Sequence, residues 1–241
     1  MDYRDLHTAE KNFTVSSSNE LALQTAFVNR VFFWMTAGLG ITAFAAYFTA
    51  SRFYNYIVVN PGIFWGLIIA EFLLVLGLTA AIRSISPAAA LIGFIAFAAL
   101  NGVSLSWIFL VYNLNSITAT FLSTCLTFGI MGMYGWITKR DLTAIGSLCT
   151  MFLLGLIISS VVNIFLRNGT FDLIISAVGV LVFVGLTAYD TQKIKQMSIS
   201  VGYGDVSDAD SRKMSIIGAL TLYLDFINLF LYLLRFMGNR K

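Results

Sequence analysis

Charge is scarce in this chain: Asp, Glu, Lys and Arg make up 11% of its 241 residues, against about 25% in an average soluble domain. A soluble globule could not coat its surface with so few such groups, and that class is excluded. The charges sum to +3 and are scattered, which excludes a basic nucleic-acid-binding surface. Cysteine is limited to Cys125 and Cys149, both inside apolar runs and in no Cys/His cluster, so neither a disulfide framework nor a zinc site is indicated. Two prolines and a 58% apolar composition exclude a disordered chain. Lysine is absent from the apolar runs, leaving a retinal Schiff base without an anchor.

What abounds is apolar sequence. Seven membrane-spanning helices of about 20 residues need roughly 140 residues, close to the apolar 58% of the chain. The predicted spans are Val31–Ala50, Gly62–Ile82, Ala88–Tyr112, Ile117–Ile137, Thr143–Leu166, Leu173–Gln192 and Met214–Met237. The expected fold is therefore all-α, a seven-transmembrane-helix bundle in a lipid bilayer. A polar, solvent-exposed tail is expected over residues 1–30 and the membrane domain over 31–237. Within that domain a polar loop covers 193–213, and a short tail of 238–241 follows. Asp2, Asp5 and Glu10 open the chain where a secretory signal would be basic and then apolar. Ten of the fifteen Lys and Arg fall in the N-terminal segment and in the loops after spans two, four and six, so the N-terminus is expected in the cytoplasm. The compact loops suit a bacterial inner membrane.

Acids inside hydrocarbon cost several kcal/mol unless paired, protonated or wet, so each is a candidate functional group. Three qualify: Glu71, Asp190 and Asp225. On span seven, Gly218, Thr221, Asp225, Asn228, Tyr232 and Arg235 recur at spacings of three and four, which collects its polar groups on one stripe. Such a stripe belongs inside the bundle or along a water path. Asp190 closes span six near the cytoplasmic side, level with Arg83 at the inner end of span two, so an Asp–Arg contact is possible. Two carboxylates brought together cannot both ionise cheaply and would hold one proton between them over a wide pH range. Depth is the difficulty, since Asp225 lies eleven residues beyond Met214, about 16 Å at 1.5 Å per residue. The pair can meet only if the last helix begins before Met214 or if span six sinks deeper. Glu71, midway in span two, has two solutions: an outer lock with Arg235, or a neutral carboxyl hydrogen-bonded to a Ser or Thr.

Two segments, TAYDTQKIK over Thr187–Lys195 and ALTLYLDFINLFLYLLR over Ala219–Arg235, resemble the Bax-inhibitor family. The resemblance implies a bundle built around a central last helix. It further implies a pH-sensitive calcium leak governed by two aspartates, which fall on Asp190 and Asp225, with Arg83 in the place of an arginine bonded to that pair. Protons and Ca²⁺ are the implied partners, with Ca²⁺ as transported ion and no resident cofactor. Two carboxylates with Thr221, Asn228 and water would hold Ca²⁺ loosely, since the ion prefers six to eight oxygens, and conduction needs loose binding.

Other classes compete. A proton-coupled transporter or exchanger would also use carboxylates in a bundle, and a non-conducting protein could bind and regulate other membrane proteins. Tyr189-Asp190 and Gly202-Tyr203-Gly204-Asp205 resemble the paired motifs of presenilin-type proteases, but Asp205 precedes a run of polar residues where a catalytic aspartate must lie within a span. The chain therefore reads as a non-enzyme. Asp205, Asp208 and Asp210 lack the glycine and terminal glutamate of an EF-hand loop.

Overall fold

The computed structural model describes the backbone of residues 3–53, 61–82, 84–239 and 241, and the side chains from Ser18 onward except at 61, 63 and 64. Arg83 lies outside the described residues. Eight helices follow one another among the described residues: α1 Tyr3–Arg52, α2 Pro61–Ala81, α3 Pro87–Leu105, one-turn α4 Ile108–Val111, α5 Leu114–Ile137, α6 Thr143–Leu166, α7 Gly169–Gly202 and α8 Asp208–Met237. Each proline opens a helix, where its missing N–H costs nothing. Among the described residues six stretches are long and apolar enough to cross a membrane, α3 and α4 forming one of them, and α2 contributes the apolar segment Trp65–Ala81. The protein is a multi-pass, all-α membrane bundle.

Its outer faces are apolar, as lipid contact requires: Phe44, Leu126 and Phe165 are all exposed. The last helix is central, α8 packing against α1, α3, α5 and α7. Tyr223 of α8 is fully buried, with the rings of Phe94 and Phe97 meeting it edge-on at 5.8 and 5.9 Å. Thr42 of α1 shares a 2.6 Å hydrogen bond with the Tyr223 hydroxyl and donates a 2.8 Å bond to the Ala98 carbonyl of α3. This relay ties three helices together. Interhelical bonds of this kind contribute about 0.6–2 kcal/mol each in a membrane.

Three boundaries differ from those expected. Residues 3–30 continue the first helix instead of forming a tail; the segment contains neither Gly nor Pro, so nothing breaks it, and Phe27 and Val31 are already buried. The polar loop of 193–213 contracts to 203–207. Helix α7 continues through Gly202 and α8 begins at Asp208, capped by Ser207, whose side chain accepts from the Asp210 amide. Span three is broken at Ser106, whose hydroxyl and amide both turn back to the Val103 carbonyl. Beyond α8, Lys241 donates from its amide to the Val111 carbonyl and from Nζ to the Phe109 carbonyl, at 2.9 and 2.8 Å.

Candidate functional site

The contracted loop removes the difficulty of depth. In an antiparallel hairpin with a five-residue connection, Asp190 lies twelve residues before the end of α7 and Asp225 seventeen after the start of α8, an offset of about 8 Å at 1.5 Å per residue that helix crossing absorbs. The two carboxyl groups face one another at hydrogen-bonding range. Asp225 is 5% exposed and its Oδ2 has no hydrogen-bond partner among the described residues, whereas Asp190 is half-buried. The exposed Lys193, one turn further along α7, is close enough to act on Asp190 electrostatically.

The segment around Asp190 is held at several points. On α5, Gly135 lies so close to α7 that a Cβ there would strike the Ala188 carbonyl, and on α6 the ring of Tyr189 fills the space beside Gly146. Gln192 clamps the α5–α6 turn, donating to the Arg140 carbonyl at 2.8 Å while its Oε1 accepts from the Leu142 amide at 2.9 Å. Lys195 Nζ donates to the Trp136 carbonyl at 2.6 Å, at the end of α5. In the same turn, both the amide and the hydroxyl of Thr143 donate to Asp141, holding its carboxyl below the usual carboxylate range. The TAYDTQKIK segment thus serves to fix where the Asp190 carboxyl stands.

The rest of the α8 stripe divides. No member is fully exposed. Asn228 turns its amide to the Leu224 carbonyl of its own helix at 2.8 Å. Thr221 is half-buried, and the Tyr232 ring stacks on Phe183 of α7 at 5.7 Å. Among the described residues no group of three or more His, Cys, Asp or Glu is placed to hold a metal ion, so any cation at the pair depends on two carboxylates and neutral oxygens.

The outer lock does not form. Glu71 accepts hydrogen bonds from Ser104 and, at 3.4 Å, from Asn101, both on α3. Arg235 pairs with Asp172 at 3.5 Å and lies over the Tyr232 ring at 5.7 Å. The reason is topological. The α7–α8 hairpin sets the first turn of α7, with Asp172, beside the last turn of α8, whereas α2 packs chiefly on α3. A double-mutant cycle of Glu71→Gln and Arg235→Gln, read by thermal unfolding, is therefore expected to be additive within about 0.5 kcal/mol. A larger coupling would restore the lock.

The family model described as inhibitor of apoptosis-promoting Bax1 matches residues 24–241. The chain is 46% identical over 221 residues to "Inner membrane protein YbhL" of Escherichia coli K12, covering 91% of this chain and 93% of that protein. It is 42% identical over 224 residues to an uncharacterized protein of Borreliella burgdorferi, covering 92% and 95%. An uncharacterized protein of Deinococcus radiodurans is 37% identical over 89% of this chain and 90% of its own length. The matched region includes every residue of the α7–α8 hairpin, and the chain belongs to the Bax-inhibitor family.

Proposed function

We propose that the protein is a pH-sensitive calcium leak channel, gated by protonation of the buried pair Asp190 and Asp225, in a bacterial inner membrane with the N-terminus in the cytoplasm. The observation that carries this reading is two carboxyl groups facing one another on adjacent membrane helices, one of them buried with an unpartnered oxygen. Two acids at hydrogen-bonding range hold one proton between them and repel once it is lost, so protonation acts directly on the packing of α7 against α8. With only two carboxylates and Thr221 or Asn228 nearby, Ca²⁺ would be held loosely enough to pass.

The test is Ca²⁺ entry into dye-loaded liposomes containing the purified protein, between pH 5 and 8. Protein-dependent flux is expected in the wild type, with a pH profile that flattens in Asp190→Asn and in Asp225→Asn. Absence of flux at every pH, or two variants that titrate like the wild type, would reject the channel.

A further inference from the structure

Arg30 of α1 and Arg212 of α8 are 182 positions apart in sequence, yet they line one cavity of about 490 Å³ at the end of the bundle where α3 begins. Arg30 is half-buried and Arg212 exposed, and neither makes an ion pair with a described acid. The first turn of α3, at Pro87 and Ala88, forms another wall, so the positive end of a 19-residue helix adds to the field of two guanidinium groups. Phe33 and Trp34 complete the rim, their rings edge-to-face at 5.1 Å. Phe33 is 64% exposed on the outer face of a membrane helix. Guanidinium forks match phosphate oxygens, and Trp34 beside them is of a residue type enriched at the level where headgroup meets acyl chain.

We infer that this cavity binds the phosphodiester headgroup of an anionic phospholipid. The apolar rim favours a lipid over a soluble phosphate, because it continues from the cavity onto the lipid-facing surface. A lipid seated there would bridge α1, α3 and α8, the last of which carries Asp225 between three and four turns beyond Arg212. Sequence reading assigns both arginines to membrane topology alone, since nothing in their spacing brings them together.

Native mass spectrometry of the full chain, titrated in detergent with phosphatidylglycerol or phosphatidylcholine, tests the assignment. One phosphatidylglycerol is expected to be retained over phosphatidylcholine. Arg30→Gln with Arg212→Gln is expected to weaken that retention about thirtyfold, from about 1 kcal/mol per basic residue at an anionic surface. Lys139→Gln with Arg140→Gln removes two charges from the same end of the bundle and is expected to change little. Should the double variant not fold, the exposed Arg212→Gln alone is expected to lose about fivefold. Equal retention of the two lipids, equal retention by wild type and the arginine variants, or an equal loss in the Lys139/Arg140 control would overturn the site. Displacement of the lipid by millimolar inorganic phosphate or glycerol phosphate would overturn the lipid assignment in favour of a soluble phosphate. Calcium flux does not enter this readout, so its outcome stands apart from that of the channel proposal.

Discussion

Asp225→Asn is expected to make the protein more heat-stable while removing the pH dependence of its Ca²⁺ flux. The side chain is 5% exposed, faces a second carboxyl group and leaves Oδ2 without a partner, an arrangement that costs folding energy. Asparagine keeps the shape, carries no proton to lose and presents an amide that can donate to Asp190. Relief of about 1–2 kcal/mol would raise the midpoint of thermal unfolding by about 2–8 °C in a chain of this size. The gain should grow as the pH rises, because only the wild-type pair has a remaining proton to lose and like charges then to separate. A residue that stabilises the fold when removed is one retained for function. Unfolding followed by intrinsic fluorescence in detergent at pH 5 and pH 8 checks the prediction. A midpoint lowered at both pH values would make Asp225 a structural group and leave the gate without its central residue.

The same aspartate marks how much could be read beforehand. Its place on a polar stripe among Leu, Ile and Phe follows from the 3.6-residue period, so the interior position of the stripe was legible, while the central place of α8 was implied by the family resemblance alone. Helix ends were not. Polar residues such as Lys193–Gln196 and Asp208–Lys213 suit a loop by composition, yet they continue helices whose apolar parts already supply the nucleus. That continuation decides whether Asp190 and Asp225 can meet. Pairing was legible only where topology left one partner. Glu71, midway in its span, admitted either Arg235 or a Ser or Thr as partner; the hairpin offered Arg235 Asp172, and Ser104 and Asn101 satisfied Glu71 from α3. The Thr42–Tyr223 bond joins residues 181 positions apart, and neither side chain announces the other in the sequence.

Gly135→Leu is expected to be the most damaging single substitution at the site, although it touches neither aspartate. A Cβ at Gly135 would meet the carbonyl oxygen, carbonyl carbon and Cα of Ala188, and backbone cannot swing aside as a side chain does. Helix α5 would have to move off α7, breaking contact two residues before Asp190 and straining the Lys195–Trp136 bond immediately beyond it. Overpacking of this kind costs about 3 kcal/mol or more, which lowers the unfolding midpoint by about 10 °C. Gly155→Leu provides the comparison, because nothing lies within 4 Å of a Cβ built there; its effect should stay within about 0.5 kcal/mol. The flux readout separates position from mere stability. At a temperature where Gly135→Leu remains folded, its Ca²⁺ flux should show an altered pH midpoint, because the seat of Asp190 has shifted, whereas Gly155→Leu keeps the wild-type profile. An unchanged profile in folded Gly135→Leu would mean that the α5–α7 contact supports the bundle without setting the geometry of the carboxyl pair.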